Sequence, residues 1–161
     1  MVSIEFWGEN YYGHPPLSED IVSKAEEILK VKLPASYITL LKLQNGGYTK
    51  GFQFPIEQGI IDMDEIPLEQ LYGIVLDPSI KSSQNILDSN YLIEEWGLPP
   101  DQVLISGNGH WWITLDYRSG KDPKVSFLDM DLNVELVLSE TFSDFIERLV
   151  PDSSFAGQDF T

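Results

Sequence analysis

Two histidines, His14 and His110, are the only side chains of a type that exchanges protons near neutral pH, so they are the first candidates for acid–base or metal chemistry. Neither stands at the spacing of a zinc-protease or deaminase motif. Asp116 follows His110 along one predicted strand, and an enzyme that uses this pair is kept as an alternative. The chain has no cysteine, which excludes thiol nucleophiles, cysteine-ligated metals and disulfides. The sequence therefore predicts no catalytic residue, no metal site and no cofactor.

The glycine turn, Gly107-Asn108-Gly109, is a second candidate because glycine-rich turns can cradle phosphate groups. Such a phosphate site needs a helix N-terminus directly after the turn. Here the following residues instead alternate, with Ile113 and Leu115 on one face and Thr114 and Asp116 on the other, which is strand spacing. The turn is therefore predicted to join two antiparallel strands.

Acidic residues dominate the charge of the chain. The 26 Asp and Glu residues exceed the 10 Lys and Arg residues and give a formal net charge of −16. A chain this acidic repels polyanions, so binding to nucleic acid or to an anionic membrane is not expected. One stretch, residues 51–117, holds eleven acids and a single base, Lys81, and so contributes −10 of the net charge.

This acidic stretch has two interpretations. It is either a solubilising surface or a docking face that accelerates association with a basic partner. The docking interpretation predicts that the partner-binding residues include five acids of this stretch, Asp62, Asp64, Glu65, Glu69 and Asp77.

The length and composition suit one globular domain. A chain of 161 residues with 42% hydrophobic residues is able to bury a sizeable core. The first residues carry no basic segment followed by an apolar one, and no run of about 18 apolar residues occurs. A cytoplasmic location is therefore expected.

Apolar spacing predicts helices before and after a series of strands. Helices are predicted over 18–30, from Pro34 to a stop at Asn45-Gly46-Gly47, over 89–96 with Trp96 directed inward, and over 141–150. Strands are predicted over 48–54, 71–76, 103–106, 110–117, 124–129 and 134–138, and the acidic segment before residue 71 is interpreted as a loop. The later strands are joined by turns too short for crossovers. This order predicts an α+β fold with a central, mostly antiparallel sheet and helices packed on it.

Several short motifs occur in a fixed order along the chain. They are Leu33-Pro34-Ala35-Ser36-Tyr37, Asn45-Gly46-Gly47, Gly107-Asn108-Gly109, Ile113-x-Leu115-Asp116-Tyr117-Arg118 and Phe142-x-x-Phe145. Their order and spacing resemble the SUKH superfamily, the Smi/Knr-type domain, over about residues 18–149. The resemblance divides the chain into an unassigned N-terminal extension over 1–17, a single SUKH-like domain over 18–150 and a short acidic tail over 151–161.

The resemblance implies an α+β fold without catalytic activity. In bacteria it implies an immunity protein that binds and neutralises a co-encoded toxin, often a nuclease, whereas other members act as general interaction or scaffold modules. Its best-marked region is the glycine turn and the strand that follows, which adds Gly107, Gly109 and Asp116 to the predicted partner-binding residues. Trp112 is bulkier than the residue usual there in the family, and it joins them as a candidate aromatic anchor for a partner. A nuclease holds phosphates on a basic surface, so the acidity of the chain independently favours a basic protein toxin as the partner.

Overall fold

The chain folds into two antiparallel sheets and four α-helices over the residues that the computed structural model describes, 5–57, 59–80 and 85–152. The elements in chain order are α1 (Glu19–Leu29), α2 (Ala35–Leu43), β1 (Gly47–Pro55), β2 (Glu65–Leu71), α3 (Ser89–Trp96), β3 (Gln102–Gly107), β4 (Trp111–Asp116), β5 (Lys124–Asp129), β6 (Val134–Ser139), α4 (Phe142–Glu147) and β7 (Val150–Pro151). This architecture confirms the predicted α+β fold, with the strands divided between two sheets.

Side-chain caps begin two of the helices at the predicted positions. Ser18 Oγ accepts a hydrogen bond from the Ile21 backbone N–H at the start of α1, and Thr141 Oγ1 accepts one from Asp144 at the start of α4. These caps satisfy backbone donors that have no partner within the helix. The structure has a helix near each of the four predicted starts, residues 18, 34, 89 and 141, which confirms the helical predictions, although α4 ends earlier than predicted.

The larger sheet is a meander in the order β3-β4-β5-β6. The glycine turn joins β3 to β4, as predicted, and Ile113 and Leu115 are fully buried. Gly107 has no room for a side chain, because a Cβ there would lie 2.5 Å from the carbonyl oxygen of Trp111. Gly109 has a φ of +96°, a conformation that favours glycine.

The smaller sheet has the order β2-β1-β7 and contains a β-bulge. The register of β1 against β2 shifts between Tyr48 and Phe52. Between these two pairs β1 advances by four residues while β2 advances by two, so the regular alternation of faces is interrupted there. Thr49 is buried before this irregularity and Phe52 and Phe54 are buried after it, while Tyr48 is only partly buried. Strict alternation over the predicted strand 48–54 would have placed Tyr48 with the two phenylalanines, and the structure does not show this arrangement.

The position of β2 also corrects the sequence prediction. The strand covers Glu65–Leu71, within the segment interpreted as a loop, and residues 72–76 do not form the predicted strand. Ile66 and Leu68 are fully buried and alternate with exposed Glu65 and Glu69. Pro67 lacks a backbone N–H, which suits its place on an edge strand.

The described part of the N-terminal extension packs against β1. The Gly8 N–H donates to the carbonyl of Tyr48 at 2.8 Å, and the Lys50 N–H donates to the carbonyl of Phe6 at 2.9 Å. Phe6 is fully buried, and its ring stacks on Phe52 with the centroids 5.5 Å apart. This segment therefore contributes to the core.

The acidic tail begins within the smaller sheet. Val150 of β7 pairs with Gln53, and Pro151 pairs with Phe52. The Asp152 N–H donates to the carbonyl of Gly51 at 3.0 Å. The rest of the predicted acidic tail, residues 153–161, lies outside the described residues, as do residues 1–4 and Lys81.

The core lies between the two sheets and the helices. Phe54 of β1 stacks on Phe145 of α4 with the centroids 5.1 Å apart. Both faces of β4 are covered, and α3 packs on one of them through Trp96, whose ring lies 5.6 Å from that of Trp112. Trp96 itself is 40% exposed, so the prediction that it points inward is wrong.

Candidate functional site

A strip of four acids runs along β2 and the turn before it. Glu65 and Glu69 are four residues apart on the strand and therefore project from the same face. Asp62 and Asp64 precede them, and all four side chains are exposed. Over the described part of the chain none of the four forms an ion pair, so the negative charge of this acidic strip is uncompensated.

A groove separates the acidic strip from the glycine turn. It has a volume of about 310 Å³ and is lined by Pro67, Glu69 and Gln70 of β2 together with Ser106, Gly107, Asn108 and Trp111. Ser106 Oγ donates to the carbonyl of Gln70 at 2.6 Å and ties β3 to β2. The structure thus brings Glu69 and Gly107, predicted as partner-binding residues for separate reasons, into one groove, which we call the β2–turn groove.

The glycine-turn wall of the groove is held in place by hydrogen bonds. Asn108 Oδ1 accepts from the backbone N–H groups of His110 and Trp111 at 3.0 and 3.2 Å. The Asn108 N–H donates to the carbonyl of Trp111 at 3.2 Å. The Trp111 ring, partly exposed, packs against Phe127 with the centroids 5.7 Å apart. Phe127 thus supports the ring of Trp111, one of the residues that line the groove.

Two predicted partner-binding residues lie in the interior instead. Trp112 is 2% exposed and Asp116 is 5% exposed, so neither side chain is placed to contact a partner directly. Alternation along β4 places Trp112 on the same face as Thr114, which is itself fully buried. The groove-lining tryptophan is the neighbouring Trp111, which the choice of Trp112 missed.

Asp116 is the centre of a buried hydrogen-bond network. Its carboxylate accepts from Gln102 Nε2 at 2.9 Å, from Ser126 Oγ at 2.8 Å, and from the backbone N–H, Nε and Nη2 of Arg118. Burial alone would raise the pKa of Asp116, but the hydrogen bonds from Arg118, Ser126 and Gln102 outweigh it and lower the pKa to about 2. A carboxylate held ionised among fixed donors stabilises the fold and is unsuited to exchange protons near neutral pH.

The geometry separates the members of the alternative catalytic pair. His110 precedes β4 and Asp116 ends it, so an extended strand of about 20 Å lies between them. The exposed His110 side chain lies 3.3 Å from Asp131 instead. His110 and Asp116 therefore do not form a site.

Asp77 lies outside the groove, in the connection that follows β2. Its Oδ1 accepts hydrogen bonds from the hydroxyl and the backbone N–H of Ser79 at 2.7 and 2.9 Å. These bonds lower the pKa of the exposed Asp77 carboxyl below its ordinary value. Asp77 thus stabilises a local turn, and its predicted contact with a partner stays a prediction.

The described residues contain neither a metal-binding cluster nor a spanning helix. Within 5–57, 59–80 and 85–152, no three His, Asp or Glu side chains converge as metal ligands would. In the same ranges no helix is long and apolar enough to cross a bilayer.

Comparison with known proteins decides the family. The model of the SMI1 / KNR4 family (SUKH-1) matches residues 16–148, which is most of the chain. The chain belongs to the SUKH-1 family. A search of curated proteins finds no match. Within this SUKH-1 chain the family match includes the acidic strip and the β2–turn groove, whereas buried Phe6 lies before it.

Proposed function

We propose that this SUKH-1 protein is an immunity protein that binds a basic toxin domain and occludes the surface with which the toxin holds its substrate. It acts by binding, without catalysis, in the cytoplasm of a bacterial cell. Membership of the SUKH-1 family, together with the acidic strip, is the observation that carries the proposal. The strip offers fixed negative charge that no base of the described chain neutralises.

Electrostatics gives the strip its role in association. Glu65 and Glu69 project from a strand, which holds its side chains more rigidly than a free loop. Charges of one sign on a firm surface steer an oppositely charged partner and disfavour wrong partners. A nuclease toxin exposes the basic surface that this steering requires. The acidic strip therefore supports binding in competition with the nucleic acid substrate.

The test replaces the four acids of the strip together, Asp62→Asn, Asp64→Asn, Glu65→Gln and Glu69→Gln. The partner is the toxin domain encoded beside the gene for this chain, and stopped-flow mixing at two ionic strengths measures the association rate. We expect roughly tenfold slower association at low salt and a weaker dependence on salt, because steering by exposed charges is screened. The melting temperature should change little, since exposed charges contribute little stability.

A matched control removes the same charge elsewhere. Glu27, Glu94, Glu95 and Glu147 are exposed and distant from the strip in sequence, and all four become Gln in the control. The control alters the net charge equally, so only the place of the charge differs. An association rate that falls as much in the control as in the strip variant would contradict the proposed docking face. Failure of the wild-type chain to bind this toxin domain would contradict the immunity function.

A further inference from the structure

The β2–turn groove combines one carboxylate with one aromatic wall. Glu69, exposed on β2, is the one charged residue of the lining, and the partly exposed Trp111 is its one aromatic residue. The remaining lining residues, Pro67, Gln70, Ser106, Gly107 and Asn108, carry no charge. The groove thus has a net negative charge and an aromatic surface but no base.

The two walls are positioned before any partner arrives. Ser106 bonds to the Gln70 backbone and fixes the distance between β2 and β3. Asn108 holds the turn, and Phe127 supports the Trp111 ring. A site whose walls need no rearrangement loses little entropy on binding.

We propose that the β2–turn groove receives the guanidinium group of one arginine side chain of the partner. This proposal rests on the proposed function, because the arginine belongs to the basic toxin surface. A guanidinium group is planar and always charged, so it stacks on an indole while it donates hydrogen bonds to a carboxylate. Trp111 supplies the indole, and Glu69 supplies the carboxylate.

The groove also distinguishes arginine from lysine. An ammonium group is a compact, strongly hydrated charge that cannot stack as a plane on the Trp111 ring. Partial removal of water between the groove walls therefore disfavours lysine more than arginine. We expect arginine to bind more tightly than lysine, and a neutral side chain of arginine's shape not to bind.

The test uses a small probe, N-acetyl-arginine amide, added to the full ¹⁵N-labelled chain. We expect saturable shifts of the Trp111 indole N–H and of the Gly107 and Asn108 amides, with smaller shifts for N-acetyl-lysine amide and none for the neutral citrulline analogue. Glu69→Gln should weaken arginine binding roughly twofold to fivefold, the effect of one partly exposed charge pair. Glu65→Gln is the matched control, because Glu65 lies on the same face of β2 but outside the groove.

The outcomes separate this proposal from the proposed function. Equal binding of arginine and citrulline probes, or an equal effect of the two glutamate variants, would overturn the arginine groove. If toxin association still depended on the acidic strip in that case, the immunity function would stand without it. Saturable arginine binding that Glu69→Gln weakens would support the groove even if the adjacent toxin proved not to be the partner.

Discussion

At the residue scale, the motif Ile113-x-Leu115-Asp116-Tyr117-Arg118 serves the interior of the domain. Asp116 accepts hydrogen bonds from three side chains, those of Gln102, Ser126 and Arg118. The hydroxyl of Tyr117, the residue after β4, donates to the carbonyl of Lys32 at 2.6 Å and ties the end of β4 to the connection between α1 and α2. Arg118 extends the network to Glu135 on β6 at 2.9 Å. The best-marked segment of the chain therefore fixes the fold that presents the groove.

Replacement of Asp116 by Asn should destabilise the protein in a pH-dependent way. The folded pKa is depressed to about 2 from an ordinary value of 3.8, so the carboxylate stabilises the fold above about pH 4 and loses this effect as the pH falls towards 2. We expect Asp116→Asn to lower the free energy of unfolding by about 2 to 3 kcal/mol at pH 7. The difference from wild type should shrink between pH 4 and pH 2, as measured by urea unfolding.

Asp122→Asn is the control for this prediction, because Asp122 is exposed in the turn after β4. It should alter the free energy of unfolding by less than about 0.5 kcal/mol at every pH. A loss in Asp116→Asn that is equal at pH 7 and pH 2 would show that ionisation of Asp116 does not stabilise the fold.

At the scale of elements, the spacing of apolar residues together with helix-capping and turn residues predicted the helices and the meander. Two other features depend on tertiary neighbours, which the sequence does not reveal. The predicted loop before residue 71 contains Ile66 and Leu68, which have strand spacing, and Pro67 between them, a residue type that disfavours a central strand. Only a place at the edge of a sheet reconciles proline with pairing, and edge position is a property of the tertiary fold. The choice of Trp112 over Trp111 failed similarly, since α3 covers the polar face of β4.

The N-terminal segment should prove to be part of the folding unit. Phe6 is fully buried against Phe52, so Phe6→Ala should lower the free energy of unfolding by about 3 to 5 kcal/mol. Tyr11→Ala is the control, because Tyr11 is 68% exposed, and it should cost less than about 1 kcal/mol. Chemical denaturation measures both, and equal small losses would show that residues before the family match do not stabilise the domain.

At the scale of the whole molecule, the acidity acts against the fold that carries it. With a formal net charge of −16, carboxylates repel one another across the surface. Most ion pairs of the described residues are exposed, such as Lys24 with Asp20 and Arg148 with Asp144. Exposed ion pairs contribute little to the free energy of unfolding, so they do not offset this repulsion. The charge that we propose for partner binding should therefore cost some stability of the free protein.

Salt should accordingly stabilise the isolated protein. Screening of like charges should raise the melting temperature by roughly 3 °C between 10 and 200 mM NaCl, which corresponds to about 1 kcal/mol. The variant without the four strip acids, whose net charge is four units less negative, should show a smaller rise. Calorimetry measures both, and a melting temperature that falls with salt would show that attractive pairs outweigh the repulsion.

The pairing order of the two sheets has a consequence for synthesis on the ribosome. Each strand from β3 to β5 pairs with its successor, so these hairpins can close as the nascent chain emerges. The edge of β1 that binds β7 stays incomplete until Val150 has been translated, although β1 itself emerges early. In the interval β1 presents unpaired backbone groups and Phe52 to other nascent chains, a period in which chaperones protect such edges.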